Sequence, residues 1–138
     1  MNKFLSLSFL PKSQDVTLLI LRVGFGTYML IFHGWGKLIG WSDKSGGFPD
    51  PLGVTSPVSL AFTGLAEVFV AAFLIVGLFT RLSAVILTST MAVAFFMVHD
   101  GKFAGAGNGE LAFVYGLAFL ALIFSGGGRF SLDQKLGN

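Results

Sequence analysis

Six ionisable residues stand inside or at the mouths of long apolar runs: Arg22, His33, Lys37, Glu67, His99 and Glu110. Removing Arg, Lys or Glu from water costs at least about 2.5–3.5 kcal/mol at the centre of a membrane helix, so each must be offset by a partner or a task. Arg22, Gly26, Met29, His33 and Lys37 follow one another at spacings of four, three, four and four. At roughly 100° per residue these positions form one helical stripe, charged at both ends. A stripe this polar is expected to face the bundle interior or a wet cavity. The plainer alternative is that Arg22 and Lys37 snorkel to the two interfaces, which is easiest for Lys37. Glu67 lies about nine residues from either end of its run, too far to snorkel at roughly 1.5 Å per residue. It therefore needs a proton or a cation. Counting rise places it between Arg22 and His33, within about 7 Å of each. A buried Arg22–Glu67–His33 cluster is the expectation, and it would serve either as a structural ion pair fixing helix register or as a ligand-binding site.

His99 and Glu110 fall near the mouths of two neighbouring helices, where they would rim a pocket with His33 and Lys37. Two histidines at similar depth admit a bis-histidine haem. That reading is disfavoured, because lone histidines at helix ends are ordinarily satisfied by solvent or backbone. No His-x-x-Glu-His or Glu-x-x-His spacing occurs, so no metal site is expected, and no Walker, Rossmann or nucleophile-elbow motif supports nucleotide use. The chain has no cysteine, which removes disulfide exchange and thiolate metal sites. Its nine Lys and Arg are scattered, so the net charge of +2 is not a nucleic-acid footprint.

The elements that must position these groups are helices in lipid. Hydrophobic residues make up 54% of the 138-residue chain and charged residues 12%, against roughly 25% charged in soluble domains. Four apolar runs predict one domain over residues 1–138, an all-α bundle of four transmembrane helices at about 16–39, 58–79, 82–98 and 109–125. Between them lie a long polar loop from Gly40 to Pro57, a tight turn at Thr80-Arg81 and a glycine-rich loop from Asp100 to Gly109. Gly126 to Gly128 end the last run. Lys3, Lys12, Arg22, Arg81, Arg129 and Lys135 fall toward one side, against Lys37, Lys44 and Lys102 on the other. That bias predicts both termini on the cytoplasmic side, with Trp35 and Trp41 at the outer interface. The apolar stretch Phe4 to Leu10 lacks a small-residue cleavage site and precedes Pro11 and Lys12, so a retained segment on the membrane surface is expected. At the inner face an Arg81–Asp133 ion pair is expected to tie the tail to the turn, against the alternative of two solvated charges or a short surface helix from Ser131.

In order along the chain stand Arg22 with Gly24, His33-Gly34, Lys37-Leu38, Glu67, Gly77-Leu78-Phe79-Thr80-Arg81-Leu82, Glu110-Leu111, and the ending Gly126 to Asp133. This order and spacing resembles the DoxX family of bacterial membrane proteins over residues 16 to 133. The resemblance implies a four-helix, multi-pass protein of the bacterial inner membrane associated with redox systems. Named members resemble a subunit of a thiosulfate:quinone oxidoreductase that works beside a second protein. Arg22, Lys37, Glu67, Arg81 and Glu110 are the family positions it carries over; His33 rests on its place in the stripe. The expected function is a membrane subunit that binds a quinone or another lipophilic small molecule at the buried polar cluster. With no visible electron carrier, it would need a redox partner protein or a bound cofactor. The alternatives are a non-catalytic scaffold that recruits a partner enzyme through the tail and the 40–57 loop, and a small transporter or proton pathway. Four helices form a thin wall, so a pore would require a homo-oligomer.

Overall fold

The first helix begins where the sequence supplies a cap. Ser13 Oγ accepts from the Val16 amide at 3.2 Å, and Asp15 lies in the first turn, at the positive end of the helix dipole. In the computed structural model, which describes residues 11–137 together with Leu5, Leu7 and Phe9, this helix runs without a break from Gln14 to Ile39. We call it α1. The surface segment expected ahead of Pro11 lies, apart from those three residues, outside the described ones. A short helix α2 (Trp41–Lys44) follows, and Lys44 Nζ turns back to donate to the Gly36 carbonyl at 2.5 Å. There a cation meets the orphan carbonyls at the end of α1.

The second span, α3 (Ser56–Val76), starts with Pro57 in its first turn and stops at Gly77, whose φ of +74° is left-handed. It therefore ends three residues short of the expected 79. The third, α4 (Thr80–Val98), and the fourth, α5 (Glu110–Ser125), match the expected spans within two residues. After three glycines the chain forms a last short helix, α6 (Leu132–Leu136), capped by Ser131, whose hydroxyl accepts from the Gln134 amide at 3.2 Å. No strand occurs among the described residues.

Phe32, Phe62, Phe96 and Phe124 are each at least 65% exposed. Large aromatics on every long helix turned outward to that extent leave lipid as the surrounding solvent. The bundle is an integral membrane protein.

The helices go up and down in sequence, with α1 against α3 and α5, and α4 against α3 and α5. The packing is uneven along the axis. At the end that carries the chain's C-terminal tail, α3 (Ala66–Val76) lies on α4, and Gln14–Tyr28 of α1 lies on α5. At the opposite end, Ser56–Leu65 of α3 packs on α1 and the interhelical loop and scarcely touches α4. So two helix pairs, α1–α3 and α4–α5, are joined at the tail end and part toward the loop end. Three helices carry a π-helical turn: Met29–Gly34 and Ala94–Val98 lie toward the loop end, and Ala66–Val70 lies where α3 still packs on α4. Such turns insert a residue and re-aim the side chains around them.

Small residues let α1 and α3 meet. A Cβ on Gly26 would come within 2.7 Å of Ile75, and one on Gly34 within 2.7 Å of the backbone of Glu67. At the tail end, Gly77 has no room either: an added Cβ would lie 2.5 Å from Arg22 Nη1 and 2.5 Å from Ser131 Cβ. Gly77→Ala thus combines left-handed strain of roughly 1–2 kcal/mol with that clash. It should lower the detergent unfolding midpoint markedly, whereas Gly24→Ala, which meets nothing within 4 Å, should leave it unchanged or raise it slightly.

Candidate functional site

The two ends of the α1 stripe do different work. Arg22 is fully buried and belongs to the tail end. Its Nη1 donates to the carbonyls of Ile75 (2.8 Å) and Leu74 (3.3 Å), and its Nη2 to that of Phe130 (3.1 Å). The first two are last-turn carbonyls of α3, at the negative end of its dipole; that of Leu74 also accepts from the Gly77 amide at 3.1 Å. Arg22 thereby staples the tail across the end of α3. It makes no contact with Glu67, so the expected Arg22–Glu67–His33 cluster does not form. The cause is register. Gly34, not a residue midway to Arg22, faces Glu67. Arg22 lies a dozen residues further down α1, or about 18 Å at roughly 1.5 Å per residue.

The expected Arg81–Asp133 pair is replaced by two helix caps. Arg81 Nε donates to the Ile123 carbonyl at 2.8 Å, near the C-terminus of α5. Asp133 accepts from the amides of Phe79 (2.7 Å) and Thr80 (2.8 Å), at the N-terminus of α4. Each charge takes the helix end of opposite sign in preference to the other. Asp15 adds a third tie, accepting from the Arg129 amide at 2.9 Å.

Glu67 finds its cation on the neighbouring turn of the same stripe. Its carboxylate pairs with Lys37 Nζ, which also donates to the His33 carbonyl at 3.2 Å. The side chains of Lys37 and Glu67 are only 18% and 5% exposed. Lys37 therefore turns into the bundle and does not snorkel. This pair lines a cavity of about 830 Å³ between the parting helices. His33 and Met29 line it from α1, Thr63, Ala66 and Glu67 from α3, Thr90 and Ala94 from α4, and Tyr115 from α5. Phe48, Pro49, Pro51, Leu52 and Val54 of the interhelical loop roof it. One flank is closed by aromatic rings: Tyr115 stands 5.4 Å from His33, 6.3 Å from Tyr28 and 5.6 Å from Phe25, centroid to centroid. The volume falls within the roughly 300–1,000 Å³ of small-molecule sites, and the lining has their usual character, apolar with a few convergent polar groups.

Of the expected rim, His33, Lys37 and His99 line the cavity, while Glu110 is exposed and stands outside the lining. His99 Nδ1 is bonded to the Gly107 carbonyl at 2.6 Å and so pins the glycine-rich loop. Glu110 opens α5, where a carboxylate complements the dipole. No group of three metal-ligating side chains occurs among the described residues. Tyr115 was not singled out by sequence: it sits in an uninterrupted apolar run and reads there as one more core aromatic. Its position opposite His33 follows only from the α1–α5 packing.

The roof has its own anchor. Asp50 accepts from the amides of Val54 (3.0 Å) and Thr55 (2.8 Å) and from the Ser59 hydroxyl (3.1 Å), tying the loop to the start of α3. Desolvation pushes its carboxyl upward, but the hydrogen bonds from Thr55, Val54, Ser59 and Gly53 outweigh it and hold the pKa below the ordinary 3.8.

A four-helix membrane protein with a buried ion pair under a roofed cavity is the class that this fold and site define. The sequence profile of the DoxX family matches residues 17–100. The chain is also 38% identical over 135 residues to an uncharacterized protein of Haemophilus influenzae, covering 91% of this chain and 95% of that one. It belongs to the DoxX family. The matched segment includes Arg22, His33, Lys37, Glu67, Arg81 and His99 and ends before Glu110. No solved structure matches.

Two outcomes test this geometry. Gly34→Ala should force α1 off α3 at the level of the ion pair, because the obstructing atoms are the Glu67 backbone. Thermal unfolding should drop by several degrees, consistent with the roughly 1–3 kcal/mol of overpacking. For the roof, a folded pKa below 3.8 means that the Asp50 anchor is fully present above that value and is lost as pH falls through the lower, folded one. The carboxyl carbon of Asp50, followed by NMR, should titrate below 3.8, and Ser59→Ala should move the midpoint upward.

Proposed function

We propose that this protein is a membrane subunit of a redox system of the bacterial inner membrane and binds a quinone or a closely similar lipophilic carbonyl compound in the cavity above Lys37–Glu67. The observation that carries this reading is an ion pair with hydrogen-bonding neighbours in the wall of a largely apolar pocket within the helix bundle. A quinone ring presents two carbonyl oxygens and an apolar body. The body suits a lining of Met29, Ala66, Ala94 and the roof prolines, and the oxygens need donors. Lys37, the His33 ring and the Tyr115 hydroxyl border the space where such oxygens would sit. Reduction of the ring to a quinol takes up protons as well as electrons. Glu67, His33 and Tyr115 are groups able to hold or pass a proton there, and water is largely excluded. Electrons would come from a partner protein, since the chain's own side chains supply no carrier.

The loop end, with Lys37, Lys44 and Lys102, would face outward and the tail end, with Arg81, Arg129 and Lys135, would face the cytoplasm, by the distribution of positive charge. In that orientation the site lies in the outer half of the bilayer.

The test is equilibrium binding of a tail-less methylated benzoquinone to the purified protein in lipid nanodiscs. Wild type should bind saturably, and Glu67→Gln should weaken binding by about tenfold or more, the loss of roughly 1.4 kcal/mol expected when a charge-assisted network is broken. Binding that is absent, or unchanged in Glu67→Gln, would contradict the proposal.

A further inference from the structure

The cavity has a second feature besides its ion pair. Phe62 on α3 and Val85, Ile86 and Ser89 on α4 line it and are themselves exposed. They mark an opening between α3 and α4, where the Ser56–Leu65 half of α3 has left α4. This opening is in the wall of a membrane span, so what lies outside it is acyl chain, not water. At the loop end the cavity is bordered by the loop from Phe48 to Val54, and on the α1–α5 flank the rings of Phe25, Tyr28, His33 and Tyr115 stand together.

The ion pair also limits what can be held. Lys37 and Glu67 neutralise each other. A ligand head with a full charge would have to break that pair or leave its own charge unpaired in a low-dielectric pocket, either of which costs several kcal/mol. A neutral head with oxygen acceptors meets the donors without that cost.

We infer that the ligand is an uncharged, long-tailed amphiphile that reaches the site sideways from the bilayer through the α3–α4 gap, its head settling against the Lys37–Glu67 pair and its tail remaining in lipid between Phe62 and Ser89. This inference rests on the binding reading above and adds to it the route, the tail and the charge of the ligand. Ser89 is exposed and its hydroxyl donates to its own helix, to the Val85 carbonyl at 2.9 Å, so a larger side chain there extends to the lipid boundary without breaking an interhelical bond.

The experiment uses nanodisc-embedded full-length protein and two probes with the same benzoquinone head, one tail-less and one carrying an isoprenoid tail with a photoreactive group near the head. Ser89→Trp should weaken the tailed probe by about tenfold and leave the tail-less one nearly unaffected. Leu117→Trp, on the lipid face of α5, should affect neither. Photolabelling should fall on the α3–α4 mouth, around Phe62 and Ser89. Label on the Phe48–Val54 roof, or equal binding of both probes to wild type and Ser89→Trp, would overturn the lateral route while leaving the site intact. A long-chain carboxylate that displaces the tailed quinone as well as an unlabelled copy does would overturn the uncharged head. If neither probe binds wild type, the site itself falls, and the route with it.

Discussion

A charge inside a bilayer has no water to return to, and the Lys37–Glu67 pair is where this chain meets that constraint most severely. Glu67 sits deep on α3 and Lys37 on the loop-end half of α1. Holding them together fixes the height of one helix against the other. The close approach that this needs is built into Gly34, whose missing side chain leaves room for the Glu67 backbone. Breaking a buried pair by deleting one member costs about 3–5 kcal/mol, because the survivor is left charged and alone. The pair therefore acts first as a register lock for the α1–α3 half. Being at the parting of the two helix pairs, it also lines the space they enclose.

The opposite end is closed by charges used in another way. Arg22, Arg81, Asp133 and Asp15 each bind backbone at a helix end or in the tail, without an acidic or basic partner side chain. Helix termini offer partial charges in fixed places, so a single side chain can satisfy itself and a helix end together. The consequence is a tail end tied by backbone hydrogen bonds and a loop end where two π-helical turns, a roof held by Asp50 and a gap between α3 and α4 are found together.

The fold was legible because lipid leaves few choices. Four apolar runs, each too long to be anything but helix, gave the spans to within three residues, and caps such as Ser13 and Gly77 set the differences. The family positions were legible too, as ionisable residues where none is cheap. What could not be read was pairing. Arg22 and Lys37 are equivalent on a helical wheel, and the choice between them as partner of Glu67 depends on the vertical offset of α1 and α3. That offset is set by the contacts of Gly26, Gly34 and Gly64, which sequence spacing alone does not disclose. Arg81 and Asp133, complementary in charge, each go instead to a helix end, because the fixed partial charges there lie nearer than either does to the other. Tyr115 gave no signal, being an aromatic among aromatics.

The most direct test is a double-mutant cycle in unfolding free energy on Lys37→Met, Glu67→Met and the two together. If the pair locks the helices, each single change costs about 3–5 kcal/mol and the double variant recovers much of that loss, because no lone charge remains in the bilayer. Costs that simply add would mean that Lys37 and Glu67 are held independently, and the account of this bundle as built around their attraction would be wrong.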